Sequence, residues 1–290
     1  MRPGFFILAA VLWPRPDAVA QAGVDGLLAQ ALGETARVAA TFWHLAPDYV
    51  ARETLNQKAL TLPKRRFRAG ASAIQPPKPE FSHREIVSYY ALSSFRTSSE
   101  ALHEFREIVS VDGQTKPGDS TPDKLRTVVN ADDDKAKKAL LNEFERTSLA
   151  VAATDFGQLI LLFTKANQTK YNFKLRGAAL VGADRAMIVD FGQSAGGEAL
   201  RVAEPGKEVR EPLTGQIWIR ESGLAPLRIT LTTSRRDGSK TVRDEARVDY
   251  EPKANGMILP VSIVYRRFVN DDLFVEAIYQ YSEWQAVNNK

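Results

Sequence analysis

The residue types that most often carry out chemistry in proteins are sparse in this sequence and form no recognisable site. The three histidines, His44, His83 and His103, stand far apart, and none lies in an HExxH or His-x-His pattern. A zinc site needs three or four converging ligands, and the chain has no cysteine to serve as a partner. We therefore interpret the histidines as structural and expect neither a metal ion nor another cofactor.

Two further patterns resemble functional loops but lack residues that such loops require. Asn130–Asp134 carries alternating oxygen ligands like the start of a calcium loop, but Lys135 replaces the required glycine and Leu141 replaces the closing glutamate. The glycine-rich run at 192–197 lies between predicted strands, which favours a hairpin loop over a phosphate cradle. The same run matches Gly-x-Ser-x-Gly at residues 192–196, but a nucleophile elbow joins a strand to a helix, and here strands are predicted on both sides. We single out no catalytic residue and predict that the protein is not an enzyme.

The N-terminal residues have the composition of an export signal. Arg2 is followed by the apolar run Gly4–Trp13 and by a small-x-small sequence at residues 18–20. The apolar run is too short for a membrane span, which needs roughly 20 apolar residues. We predict a signal peptide over residues 1–20.

A buried N-terminal helix or strand is the alternative for this segment. Pro14 and Pro16 favour the signal, because they would interrupt a helix that continued into Gln21. The mature chain would then be a single domain over residues 21–290, located in the periplasm or secreted.

The composition narrows the class of protein further. The chain of 290 residues has no cysteine, which is the residue at which bacterial lipoproteins are lipidated. A chain of this length can bury a core large enough to do without disulfides. Without the signal, 37 basic residues stand against 34 acidic ones, and this mild balance does not indicate nucleic acid. We expect no lipid anchor, no transmembrane anchor and no nucleic-acid partner.

Helical patterns occupy two parts of the chain. Apolar residues recur at helical spacing from Val24 to Leu45, with Asp25 as the expected N-cap and Pro47 ending the helix. The second part is Thr121–Phe163, which opens with the threonine N-cap and following proline that often begin a helix. Its last stretch, from Asp155, is either an apolar helix or another buried run, because periodicity does not separate the two.

Most of the remaining sequence alternates in the manner of strands. Strands are predicted at 49–62, 81–95 and 105–111, with a proline-rich connection over residues 64–79. After Lys170, strand follows strand with short turns between them, which is typical of an antiparallel meander. These later strands are predicted over residues 171–176, 185–191, 198–203, 215–221, 224–235, 241–250, 257–267 and 273–283.

The C-terminal strands each have an apolar face and a polar face. Leu227, Ile229 and Leu231, for example, alternate with polar side chains. An apolar sheet face must be covered, and the helices at Val24–Leu45 and Thr121–Phe163 are the available cover. We therefore predict an α+β fold in which a curved antiparallel sheet, a half-barrel, has helices covering its apolar concave face.

Three parts of the sequence resemble a large group of uncharacterised secreted bacterial proteins. The first is Phe105–Gly113 (FREIVSVDG), and the second is Gly215–Ile219 (GQIWI) with Pro226–Ile229 (PLRI). The third is Val248–Tyr250 (VDY) leading to a Leu-Pro pair at 259–260. The second and third parts also resemble the outer-membrane lipoprotein-sorting superfamily of periplasmic lipoprotein carriers.

The resemblance carries expectations about fold and ligand. It implies a half-open antiparallel barrel that is plugged by helices and has an apolar cavity for acyl chains. Arg220 stands where the superfamily often has an aspartate after the Trp-Ile pair, and the helical middle is longer than the usual lid of a carrier. The resemblance identifies no residue that binds a headgroup.

Three hypotheses about function follow. The first is a non-enzymatic module that binds a lipid or a lipoprotein acyl chain between sheet and helices through apolar contact. The second is a structural or protein-binding domain of the cell envelope whose interior is filled by its own side chains. The third is an envelope hydrolase, which requires a polar cleft with converging titratable groups. The candidate ligand-lining residues are Trp218, Leu227, Ile229, Leu231, Val248, Tyr250, Tyr279 and Tyr281, and Trp218 shares its strand face with Gln216 and Arg220.

Overall fold

The structure is a computed structural model, and it describes residues 16–61, 79–150, 155–193, 200–204 and 207–286. The apolar run of the predicted signal and nearly all of the predicted proline-rich connection lie outside these ranges. Most of the glycine-rich run at 192–197 also lies outside them.

A single open antiparallel sheet of 11 strands dominates the fold, in the order β4-β3-β2-β1-β13-β12-β11-β10-β9-β6-β5. Strands β7 and β8 form a separate hairpin. The strands are β1 (Tyr49–Thr61), β2 (Glu80–Phe95), β3 (Ser98–Val111), β4 (Gln114–Thr115), β5 (Tyr171–Val181), β6 (Asp184–Gln193), β7 (Leu200–Glu204), β8 (Lys207–Glu211), β9 (Thr214–Arg220), β10 (Pro226–Asp237), β11 (Lys240–Pro252), β12 (Ile258–Val269) and β13 (Asp272–Ala286). The predicted α+β class with an antiparallel meander is confirmed.

Strand β1, from the N-terminal part of the chain, pairs with β13, the last strand of the C-terminal part. Leu55 of β1 lies opposite Ile86 of β2 on one side and opposite Tyr279 of β13 on the other. Strands from the beginning and the end of the chain therefore share the middle of the sheet, so the sheet has no edge at the junction.

Among the described residues, four α-helices accompany the sheet: α1 (Pro16–Leu45), α2 (Pro122–Asn130), α3 (Asp134–Thr147) and α4 (Lys165–Gln168). A 3₁₀ turn, Ala46–Asp48, follows α1, and a second 3₁₀ helix covers Phe156–Phe163. We call Phe156–Phe163 the inner segment. The run from Asp155, which periodicity left open, is thus helical but with the tighter 3₁₀ winding.

The predicted start of the first helix is wrong. Helix α1 runs from Pro16 to Leu45, so Asp25 lies inside the helix and is not its N-cap. In contrast, the expected N-cap Thr121 is confirmed, since its hydroxyl accepts a hydrogen bond from the backbone N–H of Lys124 at 3.2 Å.

The helices divide between the two faces of the sheet. The inner segment contacts β11, β12 and α1, so it lies between α1 and the sheet. We call this the inner face, and it carries Leu55, Ile229 and Tyr279 within one large apolar cluster. The opposite, outer face is covered at β2 and β3 by α2, which buries Leu125 and Val129 there.

The expectation that all helices cover one face is therefore wrong for α2. The burial pattern of β2 explains why α2 lies on the outer face. Both faces of this strand are largely buried from Ile86 to Leu92, so each face needs an element packed against it. Helix α3 contacts β3 and contributes Leu140 to the outer cluster and Phe144 to the inner one. Within the described ranges, no helix combines the length and apolar character needed to cross a bilayer.

Candidate functional site

Most of the predicted ligand-lining residues meet on the inner face. Six of them belong to the one apolar cluster between the sheet, the inner segment and α1. These six are Ile229, Leu231, Val248, Tyr250, Tyr279 and Tyr281. Leu227 is buried as well but is not part of that cluster. The alternation of three separate strands thus converges on one apolar surface.

Trp218 lies elsewhere. Its neighbours Ile217 and Ile219 are fully buried in the inner cluster, so the indole between them points to the outer face. There the guanidinium carbon of Arg228 lies 5.3 Å from the ring centroid, in a cation–π arrangement. Trp218 therefore cannot line a space between the sheet and the inner segment.

The inner segment is attached to the sheet by a small set of hydrogen bonds. The backbone N–H of Gly157 donates to Glu104 Oε1 at 2.6 Å, and the Tyr250 hydroxyl donates to the Gly157 carbonyl at 3.2 Å. The backbone N–H of Glu104 in turn donates to Asp155 Oδ1 at 3.0 Å. Asp155 has a left-handed φ of 76°, a conformation that few non-glycine residues adopt. Side chains of two strands therefore fix the position where the segment begins.

A charged cluster is buried beneath this attachment. Arg106 of β3 donates from Nε and Nη2 to the two carboxylate oxygens of Glu53 at 2.7 and 3.0 Å, which is a bidentate pair. Nη2 also donates to Glu104 Oε2 at 2.6 Å. The side chains of Glu53, Glu104 and Arg106 are only 0, 1 and 2% exposed. We call these three residues the interior ion cluster.

Burial and mutual charge set the electrostatics of this cluster. Burial alone would lower the pKa of Arg106, but the two carboxylates raise it well above its ordinary value. Burial raises the pKa of Glu104, although the guanidinium opposes the shift. Since charges in a medium of low polarity are costly unless paired, the cluster depends on keeping all three members together.

Several polar atoms around the interior ion cluster have no hydrogen-bond partner among the described residues. They are Nη1 of Arg106 and the hydroxyls of Tyr90, Tyr279 and Tyr281, and all four are buried. Burial is the main cause that raises the pKa of each of these tyrosines, so their hydroxyls stay protonated. Four buried donors without an acceptor are unusual, because buried polar groups are nearly always paired.

A second buried carboxylate lies further along the inner face. Asp244 accepts from Arg267 at 2.7 and 3.0 Å and from the Tyr265 hydroxyl at 2.7 Å, and Arg235 lies 3.6 Å away. The ring of Tyr265 packs against Phe156 of the inner segment, with 5.3 Å between centroids. The inner face is therefore apolar with two embedded ionic clusters, which alternation alone does not show.

On the outer face, the carboxylate of Glu276 bridges two cationic side chains. Glu276 of β13 lies directly opposite Lys58 of β1 and Arg266 of β12. Its oxygens are 2.8 Å from Lys58 Nζ and 2.6 Å from Arg266 Nε. Burial acts to raise the pKa of Glu276, but the hydrogen bonds from these two cations outweigh it and lower the pKa below its ordinary value.

The lowered pKa predicts a pH-dependent contribution to stability. A carboxylate with a depressed pKa in the folded state stabilises the protein above the unfolded-state value of about 4.3, and this stabilisation disappears as the pH falls through the folded-state value. We expect Glu276→Gln to lower the free energy of unfolding at pH 7 by about 0.5–1 kcal/mol. Urea titrations of both proteins should show this difference shrinking toward pH 3. A difference that is constant between pH 7 and pH 3 would contradict the assignment.

The interior ion cluster was not predicted from the sequence. Glu53 interrupts an apolar alternation between Ala51 and Leu55 in β1, and that interruption is the signal that could have drawn attention to it. Arg106 was noted only as part of a strand. Pairing the two requires knowledge that β2 lies between their strands, with Tyr90 beside Arg106 and Ser88 beside Glu53.

Comparisons with known proteins found matches among solved structures but not among protein families or curated proteins. No protein-family model matches the chain, and no curated protein matches it. Among solved structures, a DUF1329 family protein from Desulfovibrio piger matches with a TM-score of 0.38 at 9% identity, over 90% of this chain and 93% of that one. An outer membrane lipoprotein-sorting protein domain from Vibrio parahaemolyticus matches with a TM-score of 0.37 at 9% identity, over 89% of this chain and 92% of that one.

The second of these structures carries the name of the superfamily that two parts of the sequence resemble. Both TM-scores are below 0.5.

Proposed function

We propose that the protein is a non-enzymatic module of the cell envelope that binds an apolar ligand, a lipid or a lipoprotein acyl chain, between the sheet and the helices. In this proposal the sheet acts as a half-barrel whose concave side is the inner face. The predicted signal peptide over residues 1–20 would deliver the chain to the periplasm or the outside of the cell.

The observation that carries the proposal is the layered position of the inner segment. Its side chains Leu159, Ile160 and Phe163 are buried between α1 and the sheet, so apolar surface faces it from both sides. The segment has only eight residues and is wound as a 3₁₀ helix, whose hydrogen-bond geometry is poorer than that of an α-helix. An acyl chain that replaced it would meet the same two apolar surfaces.

The second candidate is a structural or protein-binding envelope domain. The position of the inner segment between α1 and the sheet also supports this candidate, provided that the segment is not displaced by a ligand. If the inner segment stays in place, its side chains fill the interior and leave no space for a ligand. The side-chain packing around Phe163, whose ring centroid lies 4.9 Å from that of Phe191, fits this alternative.

The hydrolase hypothesis has less support. A general acid or base needs a carboxyl group that is free to exchange a proton with substrate or water, but Glu53 and Glu104 are both bound to Arg106. Within the part of the chain that the structure describes, no three histidine, cysteine or acidic side chains are placed to hold a metal ion.

The ligand hypothesis predicts that lipid accompanies the protein through purification. Organic extraction of the purified chain, followed by mass spectrometry, should recover acyl lipid in at least about stoichiometric amount. Adding acyl lipid to delipidated protein should raise Tm, because a ligand that binds only the native state stabilises it.

A matched variant sharpens this test. Val248→Asn places a polar amide on the sheet surface that would meet the ligand, and Leu141→Asn makes the same kind of change in a partly buried residue of the outer cluster. Loss of co-purified lipid in the first variant but not in the second supports the proposal. Absence of lipid in the native protein, with no change in Tm on adding it, favours the structural alternative.

A further inference from the structure

The four unpartnered donors beside the interior ion cluster belong to neighbouring strands at the centre of the sheet. Tyr90 of β2 lies opposite Arg106 of β3, and Tyr281 of β13 lies opposite Glu53 of β1. Tyr279 lies two residues before Tyr281 in β13 and on the same face of the sheet. The donors therefore come from three strands, β2, β3 and β13, and they point to the same side of the sheet as Glu53 of the intervening β1.

Ring distances show that the groups are close to one another. The guanidinium carbon of Arg106 lies 5.2 Å from the ring centroid of Tyr90 and 5.5 Å from that of Tyr279. The ring centroids of Tyr90 and Tyr281 are 4.9 Å apart. The guanidinium and the three rings that carry the hydroxyls are thus packed together, in a region next to the start of the inner segment.

The charge of the region restricts what could occupy it. Glu53 and Glu104 oppose a single guanidinium, so the cluster carries one net negative charge when both carboxylates are ionised and none when one of them is protonated. Neither state offers positive charge to a second anion, and bringing one in would be costly in this buried setting. An uncharged hydrogen-bond acceptor can satisfy the donors without that cost.

We propose that this region binds the carbonyl oxygen of an ester- or amide-linked acyl chain and discriminates against a free fatty-acid carboxylate. This inference rests on the proposed function and specifies the ligand class for the same interior. The carbonyl accepts hydrogen bonds from tyrosine hydroxyls and from Nη1 of Arg106, while its hydrocarbon chain lies along the inner face.

An aromatic group connects the region to the surface. Trp284 is partly buried, stacks on Tyr281 with 6.0 Å between ring centroids and meets the edge of Tyr90 at 5.8 Å. Its indole N–H is already bound to the Pro260 carbonyl at 3.1 Å. Trp284 therefore offers apolar surface to a hydrocarbon chain, because its one polar group is already hydrogen-bonded.

The test compares methyl dodecanoate with dodecanoate at pH 8, where the acid is ionised, and uses dodecane as the chain-only reference. Titration calorimetry with the delipidated full chain should give an affinity for the ester at least about tenfold higher than for the carboxylate, as expected when neutral hydrogen bonds form and an added buried charge is avoided. Tyr279→Phe/Tyr281→Phe should weaken ester binding about tenfold and leave dodecane binding unchanged.

This double variant should fold, because each substitution removes a hydroxyl that has no partner among the described residues. Tyr265→Phe is the control, since its hydroxyl is bound to Asp244 on a different part of the inner face. We expect a lower Tm and an unchanged ester preference for that variant.

The possible outcomes separate the two proposals. Equal affinity for ester and carboxylate, or a double variant that keeps the ester preference, overturns this inference and leaves the donors with ordered water only. Binding of none of the three probes overturns the proposed function itself. Mass spectrometry of the intact bound species distinguishes the sources, because a phospholipid has its own small-molecule mass whereas an acylated protein carries the chain on a polypeptide.

Discussion

Arg106→Met should destabilise the protein by about 3–5 kcal/mol, because removing one member of a buried ion cluster leaves the others charged and unpaired. Glu53 would lose both of its guanidinium hydrogen bonds, and Glu104 would lose one. This loss is a large fraction of the 5–15 kcal/mol that typically separates folded from unfolded protein. Guanidinium chloride unfolding at pH 7, followed by circular dichroism, measures it.

A triple variant shows whether the effect comes from unpaired charge. In Glu53→Gln/Glu104→Gln/Arg106→Met no charge remains in the cluster, so we expect it to be more stable than Arg106→Met alone. A single variant that unfolds within about 1 kcal/mol of the native protein would mean that the three side chains are not enclosed together.

Gly215→Ala is expected to have the second large effect, a loss of about 3 kcal/mol from steric overlap. A Cβ at this position would lie 2.0 Å from the carbonyl oxygen of Thr230 and 2.8 Å from Cζ of Phe191. The first of these atoms belongs to the backbone of β10, so it cannot move aside without disturbing the β9–β10 pairing. Thermal and urea unfolding of the variant should both shift to less stable values.

Gly192→Ala is the matched control for that variant. Gly192 lies in β6 opposite Thr214 of β9, and a Cβ there would meet only the Thr214 methyl at 3.9 Å, an ordinary contact. We expect a change within about 0.5 kcal/mol. If the two alanine variants were equally stable, close approach of the backbone would not be the reason for glycine at 215.

The strands could be predicted because their side chains alternate and their turns carry distinctive residues. Asp112 and Gly113 have φ values of 50° and 76°, and Asn270 and Asp271 have values of 52° and 66°. These are the left-handed conformations that Asn, Asp and Gly adopt most readily in tight hairpins. Local chemistry therefore predicts where the chain reverses. Strands β4 and β8 were missed, because β4 has only two residues and the sequence of β8, KEVRE, has a single apolar residue among charged ones.

The candidate site was only partly predictable. Alternation placed Tyr250, Tyr279 and Tyr281 on one apolar face, and the inner cluster contains all three. It did not place Arg106 beside Glu53, since that contact depends on the order of strands. The position of α2 on the outer face was also not predictable, because an amphipathic helix fits any apolar surface of suitable width.

The pairing of β1 with β13 has a consequence for how the molecule forms. The runs β1–β4 and β9–β13 consist of hairpin neighbours and can assemble from local contacts, but joining β1 to β13 requires closure of nearly the whole chain. Closing so long a loop is entropically unfavourable, and such pairings raise the contact order and slow folding. The bidentate pair of Glu53 with Arg106 forms within the N-terminal run, whereas Tyr281 meets Glu53 only at closure. Until that step, β1 and β13 each present an unpaired edge, and a chain that lacks its last strand would keep one exposed edge on each half.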